Sequence, residues 1–339
     1  MVVDMRARLE RYANRLWYQT ARPAWPWRML SALYRALLGG RWQRPAGWPP
    51  VPVIVVGNLA VGGCGKTPTV IALARHLAAA GLRAGIISRG YRRRGGGRHP
   101  IPVGPDSDPD RCGDEPVLLA QGTGLPVWVG RDRAAALNAA VTAGVEVVLA
   151  DDGLQHSGLA RSFEIALVDA RRRFGNGRLL PAGPLRQPAE RLAQVDAVLY
   201  RTPADGLDSL DGPTIDPTRC FHLQAEALLR LSDGERLAPD ALAGQAVSAL
   251  CGIADPDQFG ATLQALGQRP VVHAFPDHHR FAQADLDGIP EPIVTTAKDA
   301  VKLRRLARLP EALHVLEVSA ILPAGLLQAV DAHVQQFQP

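Results

Sequence analysis

The chain has 339 residues, 47% of them hydrophobic, and a formal net charge of +5, which suits about two domains with sizeable cores. The basic balance favours an anionic partner and leaves nucleic acid, a membrane surface and a phosphorylated substrate open. The charged residues near the start do not fit a secretory signal, and no segment reaches the ~20 apolar residues that span a bilayer. The four scattered cysteines include no C-x-x-C pair and predict neither a zinc site nor a disulfide framework.

The first 48 residues hold five of the six tryptophans, and apolar side chains recur there at helical spacing from Leu30 to Leu38. Tryptophan rings settle at the level of lipid headgroups, and the arginines of this stretch attract anionic lipid. Residues 1–48 are therefore predicted to form an amphipathic, membrane-associated helical segment that lies on a bilayer. The alternative is an ordinary amphipathic helix packed on the protein, and both hold if one face packs while the other touches lipid.

The stretch from Val51 to Thr69 predicts a buried strand, a glycine-rich turn and a helix that opens near Lys66. This order is typical of a phosphate-binding loop, because converging backbone N–H groups and a helix N-terminus attract phosphate. Lys66 can reach the β- and γ-phosphates, and the Thr67 hydroxyl can bind Mg²⁺. Ala60 occupies the position of the usual first glycine. The predicted nucleotide-binding residues are Gly62, Gly63, Cys64, Gly65, Lys66, Thr67 and Pro68.

Strands and helices alternate through the first 200 residues, which predicts an α/β fold with a P-loop NTPase-like parallel sheet and helices on both faces. Strands are predicted at 84–87, 126–129, 146–150, 163–168 and 195–199. The P-loop kinase domain is placed at 49–205 and a smaller α/β domain at 206–325, after a segment rich in Pro and Gly. Residues 326–339 are predicted to form a C-terminal helix that can pack on either domain.

Polar groups follow several of the predicted strands, at the sheet edge where open α/β folds bind ligands. The arginine-rich loop 88–98 can hold a substrate or nucleotide phosphate, or can be a solvated loop. Asp114 and Glu115 precede a helix as N-terminal acids, or serve as a base and a metal-side ligand. Asp151 and Asp152 end an apolar strand where a P-loop enzyme keeps its metal-side aspartate, although a simple turn is the alternative.

Further chemistry-bearing residues lie downstream of these strands. Residues 171–186 are broken by Gly and Pro and are predicted to be a substrate-facing loop. Asp277 can orient the neighbouring His278, as a carboxylate does for a catalytic imidazole, or His278 is a turn residue without chemistry. Lys298 and Lys302 are four residues apart and share a predicted helix face.

These motifs, in this order, resemble the tetraacyldisaccharide 4′-kinases, the lipid A 4′-kinases of Gram-negative bacteria. The absent glycine at Ala60 is typical of that family, whereas Ala297 departs from its pattern, which has an acid before Lys298. The resemblance implies a P-loop domain with a smaller α/β domain, and transfer of the γ-phosphoryl group of ATP, with Mg²⁺, to the 4′-hydroxyl of a tetraacylated glucosamine disaccharide 1-phosphate. The matching stretches are 56–68, 88–91, 113–116, 151–156, 180–186, 251–253, 275–278 and 296–302.

The resemblance also implies roles for individual residues. Asp114 would be the catalytic base with His278 beside it, and Lys66 would hold the β- and γ-phosphates. The implied metal ligands are Thr67, Glu115, Asp151 and Asp152, and the implied substrate residues are Arg89, Tyr91, His156 and Arg186. The expected partners are the lipid A disaccharide precursor and the anionic surface of the inner membrane, at its cytoplasmic face. We expect a monomer and no nucleic-acid partner.

Three other functional hypotheses compete with that of a lipid kinase. A P-loop GTPase should carry N-K-x-D for guanine, and residues 297–300 do not match it. A cytosolic small-molecule kinase or ligase would not explain the tryptophan- and arginine-rich start. A nucleic-acid-binding protein would use the basic charge, but the chain has no RNA-binding motif and its arginines cluster beside the phosphate loop and at the terminus.

Overall fold

The computed structural model describes residues 9, 12–39, 47–90, 99–203 and 214–337. The described residues form two compact units, one running up to His222 and resuming at Ala320, the other spanning Leu223–Ser319. Tyr91 and the remainder of the arginine-rich loop up to residue 98 lie outside the described residues, as do residues 1–8. No helix in the described ranges is both long enough and apolar enough to cross a bilayer.

The first unit is built on a mostly parallel sheet. Its strands are β1 (Val53–Asn58), β2 (Ala84–Ser88), β3 (Ile101–Val103), β4 (Val127–Val129), β5 (Val147–Asp151), β6 (Phe163–Asp169), β7 (Ala197–Arg201) and the start of β8 (Cys220–Arg230). Their order is β8-β7-β6-β1-β5-β2-β4-β3, with β3 antiparallel at one edge. Every residue of β1 is buried, as expected for a strand inside a parallel sheet.

The helices are short and follow the sequence periodicity. They are α1 (Trp25–Leu38), α2 (Lys66–Ala79), α3 (Pro109–Cys112), α4 (Asp114–Thr123), α5 (Arg133–Thr142), α6 (Pro256–Ala265), α7 (Ala297–Leu303) and α8 (Ala324–Gln336). The C-terminal helix α8 packs on the first unit, because Asp331 contacts His76 at 2.8 Å and His333 contacts Ser162 at 2.9 Å. The sequence left this packing open.

The second unit has a smaller α/β architecture. Besides its share of β8, it contains β9 (Arg236–Leu237), β10 (Ala246–Cys251), β11 (Arg269–Ala274), β12 (Ile293–Thr296) and most of β13 (Leu313–Ile321). The order is β11-β10-β12-β13-β8, and β9 pairs with β8. β10 pairs in parallel with β11 and with β12, and β12 pairs in parallel with β13. Thr296 caps α7 by accepting a hydrogen bond from the Asp299 N–H.

Three strands of the structure are absent from the sequence prediction: β3, β8 and the two-residue β9. β3 contains Pro102, which argues against a strand except at a sheet edge, and β3 is indeed an edge strand. Along the first half of β8, exposed residues alternate with buried or partly buried ones. The exposed positions are the polar residues His222, Gln224 and Glu226, and such a period-two pattern is the signal that would have predicted this strand.

A buried ion triad connects β6 to the turn that follows β5. Glu164, the second residue of β6, lies 2.8 Å from Arg161 Nε and accepts hydrogen bonds of 2.5 and 2.7 Å from Arg191. All three side chains are fully buried. Arg161 also donates to the carbonyl of Gly153 at 2.7 Å. Charged side chains that are buried away from water need such partners. Through Arg161 the triad also holds the backbone at Gly153, the residue that follows Asp152.

Replacing the carboxylate of the triad tests its importance to the fold. Glu164→Gln leaves two buried guanidinium groups without a counter-charge, so we expect a loss of about 3–5 kcal/mol in the free energy of unfolding, measured by urea denaturation. The control is Glu146→Gln, which breaks an exposed pair with Arg83 and should barely move the midpoint. Similar midpoints for the two variants would contradict this role of the triad.

Candidate active site

The phosphate loop leaves the carboxyl end of β1 and enters α2 at Lys66. Gly62 and Gly65 have φ angles of +123° and +83°, in the left-handed region that other residues rarely adopt. Gly65 is the N-cap of α2, so the loop curls just before the helix. A loop curled in this way before a helix N-terminus suits the anion binding predicted from the sequence.

A compact network of charged and polar groups lies beside this loop. Lys66 Nζ is 3.1 Å from Asn58 Oδ1 and 3.8 Å from Asp152 Oδ1. The guanidinium of Arg186 donates to both carboxylate oxygens of Asp152 at 3.0 Å each. Arg186 also donates to the Asn58 carbonyl at 2.8 Å and to its side-chain oxygen. Two cations thus share one carboxylate at the mouth of the loop.

Electrostatics keep this network ionised. Burial alone would raise the pKa of Asp152, but the charges of Lys66 and Arg186 overcome it and hold that pKa well below its usual range. Burial likewise lowers the pKa of Lys66, yet the neighbouring Asp152 produces a net rise. Lys66 is therefore cationic at neutral pH, as a group that meets phosphate must be.

Asp151 differs sharply from its neighbour Asp152. Its side chain is buried, and burial together with the charges of Glu115 and Asp152 raises its pKa to about 7. Among the described residues its Oδ1 has no hydrogen-bond partner, while Arg133 donates to its backbone carbonyl at 2.8 Å. An orphaned carboxylate oxygen next to further acidic charge fits a divalent cation.

The site has fewer carboxylates than a metal site in which the protein supplies every ligand. The described part of the chain contains no group of three or more His, Cys, Asp or Glu side chains placed to hold a metal. Mg²⁺ that arrives with a nucleotide keeps water and phosphate oxygens as ligands, and needs one or two carboxylates from the protein. Asp151, with Thr67 and Glu115 nearby in the sequence motifs, suits that smaller requirement.

The first turn of α4 carries the acids predicted as base and metal ligand. Asp114 is the first residue of the helix and is buried, and its Oδ1 accepts a hydrogen bond from the Glu115 N–H at 3.2 Å. The Glu115 charge contributes to raising the pKa of both Asp151 and Lys66. The start of α4 therefore belongs to the same electrostatic neighbourhood as the phosphate loop.

Two predicted substrate residues flank this neighbourhood. Arg89 is exposed just after β2. His156 lies 3.3 Å from the Arg131 carbonyl through Nε2, and burial, helped by the charges of Arg133, Arg161 and Arg89, lowers its pKa. Its Nδ1 has no partner within the described ranges. A neutral imidazole with one uncommitted nitrogen, near an exposed arginine, suits recognition of a phosphate or hydroxyl.

The remaining predicted catalytic residue, His278, belongs to the second unit. It adopts a φ of +58°, and its Nε2 lies 3.1 Å from Lys298 Nζ and 3.8 Å from Asp277 Oδ2. Lys298 also contacts Asp277 Oδ1 at 3.3 Å. Lys298 is thus nearer to the ring than the carboxylate expected to orient it. The predicted pairing of His278 with Asp114 stays a prediction.

The sequence motifs did not single out three residues that support the site. Asn58 bonds Lys66 and Arg186, Gln155 donates to the Asn58 carbonyl at 2.9 Å, and Arg133 holds the Asp151 carbonyl. A signal for Asn58 exists, since a polar residue at the carboxyl end of a buried strand before a glycine loop faces the ligand edge. The sequence gives no comparable indication for Arg133, because an arginine in a predicted helix is most often a surface residue without a role in the site.

The site combines a loop curled at its glycines before a helix N-terminus, a lysine at the first position of that helix, and aspartates at the end of the adjacent parallel strand. These features define a P-loop nucleotide-binding protein. This class handles phosphoryl groups by positioning and charge neutralisation.

Comparisons with known proteins narrow the class. The model of the tetraacyldisaccharide-1-P 4′-kinase family matches residues 23–335. A tetraacyldisaccharide 4′-kinase of Pseudomonas aeruginosa is 45% identical over 303 residues, covering 86% of this chain and 88% of the relative. One of Stutzerimonas stutzeri is 41% identical and covers 96% and 97%. The crystal structure of LpxK from Aquifex aeolicus in complex with ATP matches with a TM-score of 0.70 and 31% identity, over 90% of this chain and 97% of that one.

The chain belongs to the tetraacyldisaccharide 4′-kinase family. The resemblance drawn from its motifs is confirmed, and so is the predicted α/β P-loop fold class.

Gly65 offers a test of the loop geometry. In Gly65→Ala the added Cβ would lie 3.3 Å from Phe221 Cε2 at a φ of +83°, and the left-handed conformation alone costs about 1–2 kcal/mol. We expect the Kd for ATP to rise at least tenfold in an equilibrium binding measurement. Gly81→Ala is the matched control, since Gly81 has the same φ with open space around it. Equal ATP affinities of the two variants would contradict the assigned role.

Proposed function

We propose that this chain transfers the γ-phosphoryl group of ATP to the 4′-hydroxyl of a tetraacylated glucosamine disaccharide 1-phosphate, a lipid A precursor. The observation that carries the proposal is the network of Lys66, Asn58, Asp152 and Arg186 beside the phosphate loop, in a chain of the tetraacyldisaccharide 4′-kinase family. A cationic lysine and arginine held in place by a carboxylate meet the needs of phosphoryl transfer.

The donor half of the site consists of the loop and the start of α2. Backbone N–H groups of residues 62–67 hold the phosphates, and Lys66 reaches the β- and γ-phosphates from the position that Asn58 and Asp152 give it. Asn58 also donates from its side-chain amide to the carbonyls of Ala60 and Gly62. The loop is therefore braced by the same residue that braces the lysine.

The residues assigned to Mg²⁺ are Thr67, Glu115 and the aspartate pair. Because Arg186 occupies both carboxylate oxygens of Asp152, we assign the direct contact to the uncommitted Oδ1 of Asp151. Bound Mg²⁺ neutralises the charge that develops on the phosphates. Arg133 holds the backbone of Asp151 from inside the protein, so the carboxylate stays at the end of β5.

The acceptor half is assigned to α4 and the neighbouring strand ends. The Asp114 carboxylate takes the proton of the 4′-hydroxyl from its position in the first turn of α4. Arg89, His156 and Arg186 bind polar groups of the disaccharide 1-phosphate, with Tyr91 of the same arginine-rich loop.

The membrane contact is assigned to one face of α1. Trp25, Met29, Leu33 and Leu37 are spaced four residues apart and form one stripe, with exposed fractions of 56–68%. Arg28 and Arg35 are exposed on the same helix. An apolar stripe with neighbouring arginines suits an anionic bilayer surface. We propose that the enzyme works as a monomer bound to the cytoplasmic face of the inner membrane.

The decisive experiment is an assay with ATP, Mg²⁺ and a detergent-dispersed tetraacyl disaccharide monophosphate, followed by mass spectrometry of the lipid. We expect a second phosphate on the disaccharide. Folded protein that binds ATP and forms no such product would refute the proposed function.

Asp114→Ala tests the assignment of the base. General-base catalysis contributes about 10²–10⁴-fold, so kcat should fall at least a hundredfold while the Kd for ATP changes less than threefold. Asp287→Ala, which removes an exposed acid of the second unit, is the control and should keep the wild-type kcat. Parallel losses of kcat and ATP affinity in Asp114→Ala would instead indicate a metal role.

Two substitutions on the exposed stripe test the membrane contact. We expect the double variant Leu33→Glu/Leu37→Glu to cosediment poorly with vesicles containing phosphatidylglycerol, because its carboxylates are repelled by anionic lipid. Val271→Glu places one such carboxylate at an exposed apolar position of the second unit, 60% exposed, and should cosediment like the wild type. Unchanged cosedimentation of the double variant would rule out this face as the anchor.

A further inference from the structure

The face of α1 opposite its exposed stripe is bonded to the protein. Ser31 is the one buried residue of the helix, and its hydroxyl donates to the Leu179 carbonyl at 2.7 Å. One turn further on, the Tyr34 hydroxyl donates to the Arg186 carbonyl at 3.1 Å. Tyr34 and Leu38 also pack against the hydrophobic core of the first unit. The two hydroxyls therefore hold both ends of the segment Leu179–Arg186.

That segment is a closed turn. The Leu180 N–H donates to the Leu185 carbonyl at 2.9 Å, and the Gly183 N–H donates to the Leu179 carbonyl at 3.0 Å. Its far end joins the phosphate loop, because the Arg186 N–H donates to the Leu59 carbonyl at 2.7 Å. The turn thus bridges α1 and the exit of β1.

Residues before α1 secure the same turn. Trp17 Nε1 donates to the Pro181 carbonyl at 2.9 Å. The Asn176 side chain donates to the carbonyls of Leu16 at 3.1 Å and Ala182 at 2.8 Å. Backbone carbonyls in such a setting lose water on folding and need donors. Trp17, which precedes α1, supplies one of those donors.

We propose that Ser31 and Tyr34 are positioning residues for the phosphoryl-transfer site. They fix the backbone of the Leu179–Arg186 turn, so that the Arg186 guanidinium reaches Asp152 and Asn58 beside Lys66. This inference rests on the proposed function of Arg186 and Asp152. It gives α1 two separate tasks on two faces, with the lipid-facing stripe on one and the site-supporting hydroxyls on the other.

The test uses detergent-dispersed substrate, so that membrane binding does not limit turnover. Tyr34→Phe removes one oxygen atom and should lower kcat three- to tenfold, as the loss of one hydrogen bond implies. Vesicle cosedimentation should match that of the wild type, and the thermal midpoint should fall by no more than about 4 °C. Ser31→Ala should act in the same direction, and Ser31→Thr should restore turnover. Tyr12→Phe, the same change at an exposed tyrosine, is the matched control.

A double-mutant cycle with Arg186→Lys separates positioning from a general structural effect. If Tyr34 acts through Arg186, Tyr34→Phe should change kcat less than twofold in the Arg186→Lys background. An equal factor in both backgrounds, or an unchanged kcat in the wild-type background, would overturn the inference.

Failure of the proposed function would be visible separately, as the absence of phosphorylated lipid from the wild-type protein. In that event the double-mutant cycle is measured with the Kd for ATP in place of kcat. The Kd reports on this network because Arg186 pairs with Asp152, the carboxylate that contacts Lys66. A weaker Kd in Tyr34→Phe that vanishes in the Arg186→Lys background still supports positioning. Equal factors in the two backgrounds, or no change in Kd, overturn it.

Discussion

The site depends on the contacts of the Asp152 carboxylate with Lys66 and Arg186, which hold the two cations together beside the phosphate loop. Two like charges about 4 Å apart repel by about 4 kcal/mol at an effective dielectric constant of about 20. A shared anion offsets that repulsion and keeps both cations ionised. Asn58 accepts from both of them, so the loop, the lysine and the arginine form one preorganised unit, which is the condition under which electrostatic stabilisation is strongest.

Buried arginines hold the turn that presents this carboxylate. Arg133 donates to the Asp151 carbonyl and Arg161 to the Gly153 carbonyl, one on each side of Asp152. Asp152 itself has a φ of +49°, a conformation that persists only where the surroundings enforce it. Arginine suits this task, since its planar guanidinium is weakly hydrated, and Arg161 also pairs with the buried Glu164.

The N-terminal helix packs on the protein through one face, and its other face is exposed, where we propose the membrane contact. Leu33 faces outward in an exposed stripe, whereas Ser31 and Tyr34 bond the turn that carries Arg186. A helix with two different faces can link a bilayer to an active site without any change in its own conformation. Deleting the whole segment would remove both contributions at once, so only substitutions on single faces separate them.

Local pattern in the sequence determined the buried strand β1, the glycine loop, the start of α2 and the acids at Asp114 and Asp151, because strand burial and loop curvature depend on residues close together in the chain. The tertiary structure alone decided that Arg186 meets Asn58, 128 residues away, and that Tyr34 supports Arg186 from 152 residues away. It also decided that Asp151 is buried with a raised pKa while its neighbour Asp152 is not protonated. The physical reason is that such contacts and pKa values arise where distant strand ends, loops and helices converge, and no short stretch of sequence contains that convergence.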